Sequence, residues 1–216
     1  MITKYGYDAV AVVFFIVLVG SLLSWFFIET RLLKFGIIGL LGIVFLFTLS
    51  FFRDPDRTTP PGDNLVVAPA DGEVVLIKDV QEEEYLNSAA VQVSIFMSPL
   101  DVHVNRFPVT GTVRYFRYIP GEFLVAFDDK SSSRNERTHI GVESVTTKVF
   151  FKQIAGMVAR RIIAPIHEGD HAVAGERFGM IRFGSRVDVI VPKGLTLKVK
   201  LGDKTVAGET VLAVTS

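Results

Sequence analysis

His103 stands in the most unusual setting of the four histidines in this 216-residue chain, within SIFMSPLDVHVNRFPVTG (94–111). There an apolar run gives way to Asp101, His103, Asn105 and Arg106. Alternation in an extended segment puts Asp101, His103 and Asn105 on one face, so His103 is a candidate acid/base group with a carboxylate neighbour. His139, after the polar stretch KSSSRNER (130–137), is a second candidate of that kind. His167 and His171 flank the turn EGD and read as exposed. No HExxH pair or comparable spacing builds a zinc site, and no metal is expected. Asp71, in APADG (68–72), has two readings: Asp-Gly turn chemistry, or a carboxylate that orients and charge-stabilises a histidine. Gly184-Ser185 likewise reads as a hairpin turn, or as a bond whose preceding carbonyl a serine hydroxyl can attack, since glycine obstructs little and tolerates strained dihedrals.

These residues need a scaffold, and the chain has two unlike parts. Residues 1–52 carry only Lys4, Asp8, Glu29, Arg31 and Lys34 as charged groups. Within them 10–28 and 35–52 are uncharged apolar runs, each near the length that crosses the roughly 30 Å hydrocarbon layer. They predict a helical hairpin, spanning or monotopic, with Trp25 as interfacial anchor near the turn. Lys4, Arg53 and Arg57 flank it on the terminal side against Arg31 and Lys34 in the turn, a lean toward a cytosolic main domain at the cell membrane. Residues 53–216 have the charge density of an ordinary globular domain. Their short β-branched and aromatic runs predict strands over 65–68, 72–77, 91–97, 111–118, 138–142, 147–154, 158–164, 178–183, 187–191, 196–201 and 210–214. The fold class is mainly β, a barrel or sandwich, with a short helical turn near 99–102.

An internal echo supports that class. EGDHAVAGERFGMI (168–181) and LGDKTVAGETVLAV (201–214) share the frame GD-x-x-VAGE, two turns between short strands. With APADGEVV (68–75) they resemble the turns of biotinyl and lipoyl (barrel-sandwich) domains. A carrier of that type displays a lysine at a tight hairpin, where this chain has Gly184, Ser185 and Arg186. Zero net charge and a pI of about 6.9 argue against nucleic-acid binding, and the absence of cysteine removes disulfides and thiolate chemistry.

The order of motifs adds a resemblance. FFRDPDR (51–57), PADG (69–72), SPLDVHVNR (98–106), NER (135–137), QIAGMVARRI (153–162) and FGS (183–185), behind an apolar N-terminus, resemble the short prokaryotic form of the phosphatidylserine decarboxylase family. The resemblance implies a proenzyme that cuts itself between Gly184 and Ser185, giving a β chain of 1–184 and an α chain of 185–216 that stay associated. It also implies that Ser185 becomes a covalent pyruvoyl group. That group would decarboxylate phosphatidylserine through a Schiff base, giving phosphatidylethanolamine and CO2. On the same ground Ser185, His103 and Asp71 are the site residues, the membrane phospholipid is the substrate, and 1–52 anchors the enzyme to the bilayer.

Two positions depart from the longer enzymes of the family. Those carry two histidines three residues apart, where this chain has His103 and Arg106, and an arginine is no base at neutral pH. Either His103 does both jobs or His139 supplies the second. Arg186 follows the serine where the longer enzymes have threonine, and Arg106 and Arg186 are candidates for gripping a substrate carboxylate or phosphate. A β-rich domain with exposed edges also suits a homodimer. Two rival readings are a non-catalytic membrane-anchored biotinyl-like or lipoyl-like adaptor, and a Ser-His-Asp hydrolase, which lacks a GxSxG elbow here.

Overall fold

In a computed structural model the chain is described over residues 1–121, 135–156, 161–182 and 185–215. It divides into two compact units, Met1–Pro55 and Asp56–Ser216.

The first unit is a pair of helices, α1 (Tyr7–Phe27) and α2 (Arg31–Phe51), after a 3-10 turn at Lys4–Gly6. Both are apolar on every side and free of proline, with mean hydropathy of 2.6 and 2.4 over their most apolar windows. Such helices are long and apolar enough to cross a membrane, and their outward Phe15, Phe26 and Leu46 are well exposed. Extended backbone at Ile28 and Thr30 makes the break. The second helix therefore starts at Arg31, and Arg31 and Lys34 lie in its first turn rather than in the loop. Lys34 Nζ sits 5.1 Å over the Trp25 ring. At the open end Thr3 N–H donates to Phe52 O (2.9 Å) and Asp54 N–H to Met1 O (2.7 Å).

The second unit is mainly β. Its largest sheet, eight curled antiparallel strands, runs in the order β13 (Lys204–Thr205), β2 (Gly72–Glu82), β3 (Ser88–Met97), β11 (Ser185–Pro192), β7 (Lys148–Ala155), β6 (Arg137–Glu143), β5 (Gly111–Ile119) and β9 (His171–Ala172). Alternation gives the sheet two faces. The inner face carries Val93, Ile95, Ile140, Phe151, Val187 and Val189, and buries them in the main core. Core partners come from two three-stranded sheets: β1 (Leu65–Val67), β14 (Val211–Val214) and β12 (Thr196–Leu197), and β4 (Val104–Arg106), β10 (Arg177–Arg182) and β8 (Arg161–Ile163). The outer face carries a smaller cluster of Ala90, Phe150 and Ile190 with Tyr85 and Tyr115.

The echoed motif proves to be half of a larger internal repeat. P-x-D-G-x-V (69–74) and P-x-T-G-x-V (108–113) each pair with one GD-x-x-VAGE segment. Val74 N–H donates to Asp203 O (2.9 Å), and Val74 O accepts from Gly202 N–H (2.8 Å). Val113 does the same with Asp170 O (2.9 Å) and Gly169 N–H (2.8 Å). Register shifts fall at matching places, between Val74 and Leu76 and between Val113 and Tyr115. Gly175 and Gly208 hold the same left-handed backbone, φ 79° and 78°, and pack against each other.

The expected helical stretch at 99–102 does not form. Asp101 folds back instead, its carboxylate accepting from Ser98 N–H (2.8 Å) while its own N–H donates to Ser98 O (2.9 Å). No apolar periodic run follows to extend a helix, and the chain enters β4. Of the strand expected over 158–164, β8 holds the part from Arg161, and 157–160 lie outside the described residues.

Candidate active site

Ser185 opens β11, a central strand hydrogen-bonded on both sides, in register with Met97 of β3 and Ala155 of β7. Odd-numbered β11 residues face inward, so the fully buried Ser185 lies on the core side. Its hydroxyl donates to Met97 Sδ at 3.2 Å. A thioether is a weak acceptor and leaves the hydroxyl protonated and loosely held. The wall beside it is built by NER: Asn135 Nδ2 donates to Ala155 O (2.7 Å), Ala155 N–H donates to Glu136 O (2.9 Å), and Glu136 Oε1 accepts from Tyr118 (3.0 Å). Phe183 and Gly184, which precede Ser185, lie outside the described residues.

Beside β4, His103 is fully buried. Its Nδ1 lies 3.0 Å from Asp101 O. A carbonyl only accepts, so Nδ1 carries the proton and Nε2 keeps its lone pair, the form a general base needs. The carboxylate expected to support His103 from Asp101 is engaged at Ser98 instead, and the main chain of Asp101 takes over. Two residues on, Asn105 is also fully buried. Its Nδ2 points to Pro69 O (3.4 Å) and Met97 Sδ (3.8 Å), and its Oδ1 accepts from Gln153 Nε2 (2.8 Å). One sulfur thus lies between Ser185 and the strand that follows His103.

Asp71 accepts from Ala207 N–H (2.8 Å) and pairs with Arg57 Nη2 (2.8 Å), whose Nη1 is 3.8 Å from Glu209. In the other repeat copy Thr110 Oγ1 accepts from Ala174 N–H (3.1 Å). Threonine and aspartate cap the same turn, so the fold does not require a charge at 71. Arg106 is buried with Nη1 on Gly175 O (2.8 Å) and its stem against Gly208, between the two echoed turns.

His139 and Arg186 fall on the outer face. His139 Nδ1 meets the Glu84 carboxylate at 2.7 Å and its ring meets Phe150 edge-on. Burial pushes its pKa below the ordinary 6.5, against the pull of the Glu84 hydrogen bond. Arg186 pairs with Asp188 (2.9 Å), both side chains nearly inaccessible. The sheet therefore lies between Ser185 and these two candidates. His167 and His171 are exposed. Among the described residues no group of three or more His, Asp or Glu gathers as a metal site.

Residues 44–213 match the family described as phosphatidylserine decarboxylase. The chain belongs to the phosphatidylserine decarboxylase family. Members are carboxy-lyases, and several relatives carry the name phosphatidylserine decarboxylase proenzyme. One from Chlorobium phaeovibrioides is 52% identical over 172 residues, covering 80% of this chain and 78% of the relative. Another, from Cytophaga hutchinsonii, is 45% identical over 214 residues, covering 98% and 97%. A third, from Chlorobium limicola, is 46% identical over 213 residues, covering 99% of each.

In this phosphatidylserine decarboxylase family member, the motif string marks the segments that pair beside Ser185 better than any single residue does. Asn135 and Gln153 lie within NER and QIAGMVARRI, yet their tasks emerge only from strand pairing. Met97 and Thr138 carry no signal beyond strand periodicity.

Proposed function

We propose that the protein decarboxylates membrane phosphatidylserine to phosphatidylethanolamine and CO2, using a pyruvoyl group made from its own Ser185. The carrying observation is Ser185 itself: buried at the head of a central strand, its hydroxyl held, among the described residues, by a thioether. A pyruvoyl group has the three-carbon skeleton of serine and so fits this position. The side chains in register with it, Met97 and Ala155, carry no amine that would condense with a ketone. When present, the group supplies a ketone that engages the substrate amine and accepts the electron pair left as CO2 departs.

The chain's own residues make that group. His103 Nε2 takes the Ser185 hydroxyl proton as Oγ attacks the carbonyl of residue 184, and the peptide C–N bond breaks in favour of an ester. Loss of the Cα proton and cleavage of the Cβ–O bond release residue 184 as a carboxylate. Water then replaces the nitrogen, which leaves as ammonia. His103 serves again as acid/base for decarboxylation. Asp71 supplies the charge that steadies a protonated histidine. The outer-face position of His139 favours His103 for both tasks.

The cut gives a β chain, 1–184, and an α chain, 185–216. Pairing of β11 with β3 and β7, of β14 with β1 and of β13 with β2 favours their staying together. The two apolar helices suit a bilayer anchor, and the flanking Lys4, Arg53 and Arg57, against Arg31 and Lys34 at the turn, favour a cytosolic catalytic domain.

Intact mass of the detergent-purified protein with anionic vesicles, beside Ser185→Ala, tests the reading. Two species splitting after residue 184 are expected, the α chain about 17 Da lighter than its sequence through loss of ammonia, with Ser185→Ala uncut and CO2 released from phosphatidylserine vesicles by wild type alone. A wild-type chain that stays whole with lipid present overturns it.

A further inference from the structure

Besides Ser185, buried Gln153 on β7 and Thr138 on β6 are polar on the inner face of the large sheet, and buried Asn105 on β4 meets Gln153 there. In the other repeat copy the place of Asn105 is taken by Val66, a core residue with no exposure. An amide where a valine packs costs desolvation unless its groups are used.

Its orientation is decided by its neighbours. Thr138 Oγ1 lies 2.8 Å from Gln153 Oε1, and Gln153 Nε2 lies 2.8 Å from Asn105 Oδ1. A hydroxyl both donates and accepts, so this chain alone would allow both amides to be flipped together. Pro69 O and Met97 Sδ break the tie. Both only accept, and both face the far end of the Asn105 amide, which must therefore be its NH2.

That donor pair is weakly committed. Its contacts are 3.4 Å to a carbonyl and 3.8 Å to a sulfur, and the sulfur is the atom the Ser185 hydroxyl touches at 3.2 Å. Two N–H groups are thus locked in direction, short of a strong acceptor, and aimed at the corner where the chemistry occurs.

We propose that the Asn105 NH2 holds an anionic oxygen next to residue 185, with Gln153 and Thr138 as positioning residues that fix its direction. The inference rests on the self-cleaving decarboxylase reading above. Two oxygens have the required chemistry: the oxyanion formed at the carbonyl of residue 184 during self-cleavage, and the carboxylate of the substrate. Prealigned donors are most effective where charge develops in a site closed to water.

The test is Asn105→Asp, which keeps the shape and the acceptor for Gln153 but turns the donor into an anion. Self-cleavage is followed by pulse-chase in cell-free synthesis with anionic vesicles, and KM and kcat for phosphatidylserine are measured per cleaved chain. Cleavage slowed by about 100-fold or more with unchanged KM identifies the peptide oxyanion. Normal cleavage with KM raised about tenfold or more identifies the substrate carboxylate. Wild-type cleavage together with wild-type KM and kcat overturns the proposal. Thr138→Val, which frees the Gln153 amide to turn, moves the same quantity by several-fold, and Thr138→Ser restores it. A Thr138→Val chain that only melts at lower temperature, with cleavage and KM intact, also overturns the proposal, and this pair decides the matter where Asn105→Asp does not fold. Wild type in the same synthesis reports on the underlying reading separately: if it stays whole, that reading fails, whatever the variants do.

Discussion

The two copies of the internal repeat share a backbone and differ in what they carry. Around Val74 and Val113 the hydrogen bonds match within 0.1 Å or better, at 2.9 and 2.8 Å in each copy, and the echoed turns use glycine at the same positive φ. Yet where the first copy has Asn64, Val66, Val67 and Asp71, the second has His103, Asn105, Arg106 and Thr110. Position by position, the plainer residue shows what the fold needs and its counterpart what has been added, three times in the second copy and once, at Asp71, in the first. The added groups are a buried imidazole, amide and guanidinium and a half-buried carboxylate, each costly away from water unless it is partnered.

Replacing an added group by its plainer counterpart from the other copy separates the two requirements. Asp71→Thr keeps a hydroxyl cap for Ala207 N–H, as Thr110 does for Ala174, and is expected to fold with a melting temperature within a few degrees of wild type. Self-cleavage is expected to fall on the order of 10³-fold, read as the fraction of uncut chain against time. Arg57→Met leaves the Asp71 cap intact but removes the 2.8 Å ion pair. A slowing of about tenfold is expected in the same assay, with about 1–2 kcal/mol of stability lost from this largely buried charged contact. Arg106→Gln tests whether the strut between the echoed turns is also a substrate grip. The structure assigns the strut, so the unfolding midpoint drops while KM for phosphatidylserine stays at the wild-type value. A raised KM restores the grip.

The outer face gives the smallest effect. His139 is surrounded by Glu84, Tyr115 and Arg117 of β5, Arg137 on its own strand and Lys152 of β7, and its pKa is lowered chiefly by burial. Above about pH 6.5 the residue is neutral both folded and unfolded. Below it the unfolded chain binds the proton first, so stability falls as pH drops from there. Thermal melts from pH 7.5 to 5.5 should show that decline in wild type and a flatter profile in His139→Gln, with self-cleavage at pH 7.5 unchanged. Loss of cleavage in His139→Gln would return His139 to the acid/base role.

The helical hairpin was legible because length and apolarity decide it, and the echo because GD and AGE both require glycine in left-handed backbone. The first half of the repeat was hidden by the Asp71 and Thr110 difference, the very substitution that makes it informative. Ser185, His103 and Asp71 were singled out by an ordered motif string, and the fold buries the first two completely. His139 and Arg186 could not be placed, because shifting one residue along a strand exchanges the two faces of a sheet, and only pairing settles which face is which. SPLD misled because its aspartate does reach back three residues as a helix cap would, but on a single turn.

The central position of β11 has a consequence for the life history of the molecule. Residues 185–215 supply strands to two of the three sheets, so under the proposed self-cleavage the precursor folds as a single chain and the product would be a two-chain complex sharing a core. Unfolding the precursor is unimolecular. Unfolding the product ends in dissociation, and its melting point acquires a dependence on protein concentration. On that proposal maturation would act as a ratchet: the sequence assembles the fold once, as a single chain, and the cut discards the tether that made the assembly fast.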